Sequence, residues 1–435
     1  MITIDNILSS DNRRTALARV VKNGGAAGID EMPVEALRTH LNRTWTTTSQ
    51  AIRCGKYRPS AVRRVEIPKP NGGVRLLGIP TVQDRMLQQA TAQVLSQYYD
   101  TRFSEYSYGF RPNRNCHQAI DTALDYLKAG NVYMVEIDLS KFFDRVNHDR
   151  LMYRLSEQIS DKQVLKLIRA FLQSGVMLNG VVHKTEEGTP QGGNLSPILS
   201  NIVLDELDKE LEKRGHNFVR YADDITIFVK SRRAGERVLS TVSNYIERRM
   251  KLRVNREKSG VRHYTKGGML GFGFYADAKG VQSRILPKSY QSLRRKLKRF
   301  TSRKWSVNFD ERVIYIDSLI VGWIGYFGKG KGRNKLRQIE EWLRRRLRMC
   351  IWKQWKKVGK RMRSLIQLGA TRQQAYEWAN TRKSYWRVSK SPILHRTITN
   401  ERLEQRGLRS LVQLYNRRHL ILTNRRDTRT VRPVV

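Results

Sequence analysis

Apolar and polar positions divide the first 290 residues into alternating short strands and helices. Val62 to Pro80 predicts a β-hairpin, because two strand-like runs flank a Pro-Asn-Gly-Gly turn. Val132 to Leu139 predicts a strand with Asp138 near its end, and Phe218 to Val229 predicts two strands with Ala222-Asp223-Asp224 at the bend. Helical spacing predicts helices through most of 1–60 with a break at 23–25, and over about 82–99, 117–127, 149–173, from the 188–197 loop to about 213, and 235–250.

The pattern changes after about residue 288, where the predicted helices become strongly basic. In the first of them, the apolar positions are Tyr290, Leu293, Leu297 and Phe300, and the basic positions between them are Arg294, Arg295, Lys298 and Arg299. A second helix is predicted from about 334 to 357, after a basic glycine-rich loop at 328–333. Together they predict a helical region with a cationic face.

The net charge of the chain indicates what kind of molecule it binds. The 435 residues include 83 Lys and Arg against 39 Asp and Glu, for a net charge of +44, and 39% are hydrophobic, which suffices for an ordinary core. Residues 291–435 alone hold 38 basic and 9 acidic residues. This excess predicts a polyanionic partner, with nucleic acid first, and an appended binding region. The alternative from composition is a ribosome-like or membrane-surface basic protein.

The cysteine positions and the hydropathy of the chain argue against several other classes of protein. Cys54, Cys116 and Cys350 are scattered and form no CxxC pair, so neither a zinc ribbon nor a disulfide framework is expected, and a reducing cytoplasm fits. The N-terminus lacks a basic-then-apolar signal pattern. The most apolar stretch, Leu319 to Phe327, is too short to span a bilayer, so no membrane partner is expected.

Three aspartates carry the candidate chemistry. Asp138 ends one predicted strand, and Asp223 and Asp224 lie together at a hairpin bend. Nucleotidyl transfer uses two divalent cations about 4 Å apart, and Mg²⁺ prefers hard oxygen ligands. An Asp-Asp pair alone is more typical of a solvated turn, but the apolar strands on both sides of this pair favour a rigid metal site.

Several ordered motifs make the chain resemble the reverse transcriptases of bacterial group II introns, also called maturases. Tyr221-Ala-Asp-Asp224 resembles their active-site box, and Val135-Glu-Ile-Asp138-Leu-Ser-Lys-Phe-Phe143 resembles their first catalytic motif. Gly188-Thr-Pro-Gln-Gly-Gly-Asn-Leu-Ser-Pro197 resembles the box between these two. Ser107-Tyr-Gly-Phe-Arg-Pro112 and Asn23-Gly-Gly-Ala-Ala-Gly-Ile-Asp30 are similar to the group II versions. The resemblance runs nearly end to end.

The resemblance implies a role for each matching residue. Asp138 and Asp223 would bind the metals with the backbone carbonyl of Leu139, and Asp224 would support the site and the primer end. The cofactor would be two Mg²⁺ ions, with Mn²⁺ as a substitute. Nucleotide contacts are expected from Lys69, Arg75, Phe143, Gln191 and Lys258.

Each nucleotide contact has a simpler interpretation. Lys69 and Arg75 suit a mobile hairpin that closes on a triphosphate, or they form a generic basic turn. Phe143 would exclude a 2′ hydroxyl and so select deoxynucleotides, or it is a core aromatic. Lys258 reaches a phosphate or is a solvated lysine.

The basic C-terminal third resembles the maturase thumb, or X domain. Helices with arginines on one face would hold a nucleic-acid duplex by its phosphates, with steep salt dependence. The predicted contacts are Arg294, Arg295, Lys298, Arg299, Arg344 and Arg345. The aromatic and basic segment from Ala375 to Pro392 suits either base stacking or an ordinary core with a solvated face.

The predicted fold class is α+β, a right-hand polymerase with an antiparallel palm sheet and a basic helical C-terminal region. The predicted domains are an N-terminal extension and fingers (1–120), a palm (121–285, interleaved with fingers at 150–190), a thumb or X domain (286–365) and a nucleic-acid-binding domain (366–435). The residues after the thumb show neither cysteine pairs nor a His-Asn-His cluster, so an endonuclease domain is not expected.

The implied function is RNA-directed DNA synthesis coupled to splicing and retrohoming of a group II intron. The expected partners are intron RNA, the RNA template/DNA primer duplex, target DNA and dNTPs, in a bacterial cytoplasm and associated with the nucleoid or an RNP. The alternatives are a domesticated relative that acts in DNA repair, a splicing cofactor without polymerase activity, and an RNA-dependent RNA polymerase.

Overall fold

The chain forms two compact units, Met1–His263 and Tyr264–Val435. The structure, a computed structural model, describes residues 2–68, 72–178, 181–183, 187–189 and 192–427. Each unit has its own hydrophobic core. The finer division into fingers, palm, thumb and C-terminal domain stays a prediction.

Helices of the first unit begin at polar capping residues. Ser9 and Thr81 accept hydrogen bonds from backbone N–H groups of the first turn, and Asn115 forms a reciprocal capping box with Gln118. The helices are α1 Ile4–Leu8, α2 Ser10–Asn23, α3 Leu37–Arg53, α4 Val82–Tyr99, α5 Cys116–Lys128, α6 His148–Ser156, α7 Lys162–Leu172, α8 Ser196–Lys213 and α9 Arg232–Arg248.

Strands of the first unit form two sheets. They are β1 Val62–Pro68, β2 Val74–Ile79, β3 Tyr133–Ile137, β4 Val176–Leu178, β5 Val181–His183, β6 Asn217–Tyr221, β7 Asp224–Val229 and β8 Gly260–His263. One sheet has the order β2-β1-β4-β5, in which β1 and β4 are parallel. The other has the order β6-β7-β3-β8 and is antiparallel throughout. This second sheet positions the candidate site.

One predicted helix proves to be two. The single helix expected over 149–173 is divided into α6 and α7. Asp161 starts the second helix, because its carboxylate accepts from the backbone N–H groups of Gln163 and Val164. Ile159, between the two helices, is buried in the core and holds the connection in place.

The second unit begins with a small antiparallel sheet and continues as helices. The strands, which the sequence did not predict, are β9 Gly268–Met269, β10 Phe272–Asp277 and β11 Gly280–Ile285. The helices are α10 Pro287–Phe300, α11 Phe309–Phe327, α12 Arg333–Gln354, α13 Val358–Gln367, α14 Arg372–Ala379, α15 Tyr385–Val388, α16 Pro392–Thr397, α17 Asn400–Gln405 and α18 Leu411–Asp427.

The core of the second unit joins thumb-type helices to the C-terminal ones. Leu297, Ile316 and Leu347 pack in one cluster with Val388 and Leu403. Within the described residues, no helix combines the length and apolar character that crossing a membrane requires. The α+β class is confirmed.

Candidate active site

The register of the antiparallel sheet brings the two acidic segments together. Ile137 at the end of β3 lies opposite Ile225 in β7. Asp138 follows Ile137, and Asp224 precedes Ile225, so the antiparallel pairing places both aspartates at the same end of the two strands. Because residues opposite each other on neighbouring strands are only about 5 Å apart, segments that are 86 residues apart in sequence meet at one sheet edge.

A two-residue turn presents Asp223 at the same edge. Tyr221 pairs with Asp224 at the end of the β6–β7 ladder, which leaves Ala222 and Asp223 as the connection. Ala222 has a φ of 58°, a left-handed conformation that costs energy for a residue with a Cβ. Something outside the turn must therefore hold this conformation.

Charge crowding at this edge shows in the acidities of the carboxyl groups. Burial raises the pKa of Asp223, and the charge of Asp138 raises it further, whereas Arg75 and Arg220 lower it. Burial also raises the pKa of Asp224 to about 6, with contributions from the charges of Asp223 and Asp138. The three carboxylates therefore lie within electrostatic reach of one another.

The side chains of the three aspartates are not arranged closely enough to form a complete metal site. Within the part of the chain that the structure describes, no three or more His, Cys, Asp or Glu side chains are grouped so as to hold a metal ion. Asp138 instead contacts Lys258, with Nζ 3.5 Å from Oδ2. The Lys258 side chain is 69% exposed, so this contact is solvated and easily exchanged.

A loop after α9 supports the backbone at Asp138. The Asp138 N–H donates to Oγ of Ser259 at 3.0 Å, and the Asp138 carbonyl accepts from the N–H of Asn255 at 2.8 Å. Leu139 follows with its side chain buried in the core. Asp138 is thus fixed at its backbone while its carboxylate stays accessible.

Two of the predicted nucleotide contacts, Lys69 and Gln191, lie outside the described residues. Arg75 is exposed on β2 and acts on the pKa of Asp223, so the structure places it beside the acidic edge. Gly192 has a φ of 115°, and a Cβ there would lie 2.7 Å from the carbonyl oxygen of Gly78. The loop after Gln191 thus passes close to the backbone of β2, as glycine permits.

Phe143 lies half-buried, five residues after Asp138, in a short 3₁₀ turn. Its carbonyl accepts from the N–H of Thr189 at 2.6 Å, and Nε2 of the buried His148 bonds the Gly188 carbonyl at 2.6 Å. The segment at 187–189 therefore holds the turn that carries Phe143.

The basic residues of the second unit fall into two groups. Arg294, Arg295, Lys298 and Arg299 are exposed on α10. Arg344 forms ion pairs with Glu340 and Glu404 and its side chain is 16% exposed. Arg345 lies over the ring of Trp386 at 3.8 Å and donates to the Trp386 carbonyl. The α10 residues are exposed to a ligand, although Arg294 also lies over the ring of Trp342 at 4.9 Å. Arg344 and Arg345 are held by ion pairs and hydrogen bonds within their own unit.

The segment from 375 to 392 contributes both to the core and to the surface. Ala375 and Val388 are buried in the core, and the half-buried Trp378 and Tyr385 pack against it. Tyr376 is 62% exposed and Trp386 is 36% exposed, so these two aromatic rings remain at the surface.

Sequence reasoning missed three buried polar residues beneath the turn: Arg220 on β6, and Asn201 and Asp208 on α8. The sequence did contain a periodic pattern that could have identified these three residues. Alternation along β6 places Arg220 on the same face as Phe218, and Asn201 and Asp208 are seven residues apart, on one face of their helix.

An antiparallel sheet brings three aspartates to one edge, and Arg75 on β2 acts on one of them. This arrangement is typical of the right-hand nucleic-acid polymerases. Two family profiles match the chain: "Reverse transcriptase (RNA-dependent DNA polymerase)" over residues 67–274, and "Group II intron, maturase-specific domain" over 290–368.

Individual proteins are also similar to this chain. Protein YkfC of Escherichia coli K12 is 32% identical over 284 residues, which cover 57% of this chain and 74% of YkfC. The group II intron-encoded protein LtrA of Lactococcus lactis subsp. cremoris is 42% identical over 161 residues, which cover 37% of this chain and 27% of LtrA. A solved chain of the Cas6-RT-Cas1–Cas2 complex is 25% identical with a TM-score of 0.36, covering 56% of this chain and 42% of that one.

This chain therefore belongs to the reverse-transcriptase family, in the branch that carries the group II intron maturase domain. The enzyme class of that family is the RNA-directed DNA polymerase, and membership implies a requirement for a divalent metal cation.

Proposed function

We propose that this protein extends a DNA primer on an RNA template by two-metal nucleotidyl transfer, and that it does so for a group II intron whose RNA it binds and helps to splice. One observation carries the polymerase part of the proposal. The pairing of β3 with β7 puts Asp138 next to Asp224, and the β6–β7 turn adds Asp223.

The proposed metal ligands are all oxygen atoms, which is the ligand type that hard divalent cations prefer. Asp138, Asp223, Asp224 and the Leu139 carbonyl would hold two Mg²⁺ ions, or Mn²⁺ in their place, which when bound activate the primer hydroxyl and neutralise the triphosphate. Burial, and after it the crowding of negative charge, raises the pKa of Asp223 and of Asp224, and a bound cation would balance that charge. Asp138 would exchange its exposed contact with Lys258 for this role.

Other residues of the first unit would position the nucleotide. Arg75 and Lys69 would bind its phosphates from the fingers hairpin, and Lys258, once released from Asp138, would reach a phosphate as well. Gln191 would lie against the nucleotide. Phe143 would pack under the sugar and exclude a 2′ hydroxyl, which favours deoxynucleotides.

The second unit would bind RNA. Its maturase-specific domain includes α10, where Arg294, Arg295, Lys298 and Arg299 are exposed. Arginine and lysine on one exposed helix face suit phosphate contacts. This surface would bind intron RNA during splicing. Arg344 and Arg345 are weaker candidates, because Arg344 already forms an ion pair and Arg345 already donates a hydrogen bond within the unit.

The test of the polymerase proposal compares Asp223→Asn with the wild type in primer extension on an RNA template. Loss of a metal ligand removes several kcal/mol of transition-state stabilisation, so the rate should fall about a thousand-fold. Binding of a structured group II intron RNA should be retained within about two-fold, a change of less than 0.5 kcal/mol.

A matched control is Asp310→Asn, which removes the same charge at an exposed site of the other unit. It should leave extension unchanged. Full activity of Asp223→Asn, or a wild-type protein that never extends a primer, would contradict the proposal.

The test of the RNA surface replaces Arg294, Arg295, Lys298 and Arg299 with Gln. Each lost phosphate contact lowers the magnitude of the slope of log K against log salt by about 0.7–0.9. Intron RNA binding should therefore weaken, and the magnitude of its slope should fall by about 3 to 4 if all four residues contact phosphates. The control removes four exposed charges at α9 instead: Arg233, Arg237, Arg248 and Arg249. Equal effects from both sets would show that net charge, not α10, governs binding.

A further inference from the structure

Arg220 lies completely buried directly beneath the acidic turn. Its side chain, like that of Asp208, is 0% exposed. Nε and Nη2 bond the Asp208 carboxylate at 2.7 Å and 2.6 Å. Nη1 donates to the carbonyl oxygen of Ala222 at 3.0 Å and to Oδ1 of Asn201 at 2.9 Å. One guanidinium thus joins α8 to the residue that precedes Asp223.

The same network includes the segment that runs alongside β6. Asn201 uses its amide Nδ2 to donate to the Gly109 carbonyl at 2.9 Å. The backbone N–H of Tyr108 donates to the Arg220 carbonyl at 2.9 Å, and the backbone N–H of Arg220 donates to the Tyr106 carbonyl at 2.9 Å. A Cβ at Gly109 would lie 2.2 Å from the N of Ala222. The turn is therefore enclosed by backbone on one side and by the guanidinium on the other.

Stability alone does not explain a buried charge pair. Desolvation of both ions offsets much of their attraction, and well-packed apolar residues often stabilise such a site equally well. What apolar side chains cannot supply is a donor for the Ala222 carbonyl. That carbonyl belongs to a residue with a φ of 58°, and its orientation fixes the peptide that leads into Asp223.

We propose that Arg220, held by Asp208 and Asn201, is a positioning residue that fixes the Ala222–Asp223 turn and thereby the direction in which Asp223 presents its carboxylate to the catalytic cations. Arg220 does not touch substrate; it acts through the Ala222 carbonyl. The inference rests on the proposed two-metal function.

The decisive variant is the double replacement Asp208→Leu with Arg220→Met. It removes the pair without leaving one buried charge unpaired, so the protein should still fold. Its unfolding midpoint should fall only by the amount that the lost hydrogen bonds to Ala222 and Asn201 contribute. A misplaced ligand should nevertheless lower kcat by about ten- to a hundred-fold and raise the Mg²⁺ concentration for half-maximal activity, with the affinity for a template–primer duplex unchanged.

A second comparison covers the case in which the double variant fails to fold. Arg220→Lys keeps the charge beside Asp208 but cannot form the planar fork. Its control is Arg348→Lys. Arg348 is also buried, but it donates hydrogen bonds to the Ile398 carbonyl and to Oδ1 of Asn400 in the other unit. Both should lose some stability, but only Arg220→Lys should raise the Mg²⁺ requirement.

The outcomes separate this inference from the proposed function. If the wild type extends primers and a folded Arg220 variant keeps the wild-type kcat and Mg²⁺ requirement, Arg220 is merely structural and the inference fails. Equal shifts in Mg²⁺ requirement for Arg220→Lys and Arg348→Lys would also overturn it. If the wild type does not extend primers, the proposed function itself fails.

Discussion

Removing the charge of Asp224 should stabilise the metal-free protein. Burial and the neighbouring charges of Asp223 and Asp138 raise the pKa of this carboxyl from 3.8 to about 6, which means that the folded state disfavours its ionised form. Asp224→Asn keeps the size of the side chain and removes the charge. The variant should therefore be more stable than the wild type wherever the carboxylate is ionised and no divalent cation is bound.

The size of the effect follows from the pKa difference. At 1.36 kcal/mol per unit, the interval between 3.8 and about 6 corresponds to about 3 kcal/mol. The surrounding protein removes part of the hydration of the Asp224 carboxyl, but the residue still presents much of its surface to solvent. Solvent screening therefore reduces this value to about 1 kcal/mol. For a unit of this size, that is a rise in Tm of about 2–4 °C.

The pH dependence has a definite sign. A raised pKa in the folded state means that the folded protein keeps a proton that the unfolded chain releases, so wild-type stability falls as pH rises from 3.8 to about 6. The advantage of Asp224→Asn should be absent near pH 4 and complete above about pH 7.

Thermal and urea unfolding in EDTA, at pH 4 and pH 8, measure this effect directly. Asp310→Asn is the control, because this exposed aspartate pairs with Arg406 and should contribute little. An Asp224→Asn protein that unfolds at or below the wild-type temperature at pH 8 would refute the reasoning. So would an equal gain at both pH values.

Two further substitutions test the surroundings of the acidic edge. Phe143→Ala should raise ribonucleotide incorporation relative to deoxynucleotides by about ten-fold or more, measured by competing both in primer extension; an unchanged ratio would assign Phe143 to the core alone. Gly109→Ala should lower Tm by several degrees, since its Cβ would lie 2.2 Å from the backbone of the turn. Gly359→Ala is its control, because nothing lies within 4 Å of a Cβ there, and equal Tm values for these two variants would contradict the packing described.

Local patterns in the sequence predicted the elements that carry the aspartates. The helical spacing of 82–99 matches α4 from Val82 to Tyr99. Its apolar residues Met86, Ala90 and Val94 recur every four positions and are buried. The predicted strand, turn and strand over 218–229 matches β6 and β7. Their apolar, β-branched residues pack in a sheet that is covered by helices, a setting in which local preference and tertiary packing agree.

Elements without a local pattern were missed. β8 consists of Gly-Val-Arg-His, and its residues are all half-buried, so it has no alternation to detect. It is a strand because β3 offers it an edge to pair with. The small sheet of β9, β10 and β11 was also not predicted, and its first strand is only two residues long. Such strands depend on tertiary pairing rather than on their own sequence.

The candidate site shows the same division between local and distant information. Asp223 and Asp224 were recognised within one tetrapeptide, whereas the approach of Asp138 depends on strand register that a single sequence does not specify. The contact between Asp138 and Lys258 joins residues 120 positions apart. No local rule predicts such a contact, since it follows from how the loop after α9 returns to the end of β3.

The network around Arg220 connects these observations. The turn places two carboxylates beside a third, which lowers the stability of the folded protein. It also holds Ala222 in a left-handed conformation, which lowers that stability further. A fold selected only for stability would relieve both. Instead, a buried guanidinium supplies a donor to the Ala222 carbonyl and a positive charge that lowers the pKa of Asp223. The destabilising turn and its buried support therefore form one arrangement, in which α8 and β6 hold negative charge at a fixed place until a cation balances it.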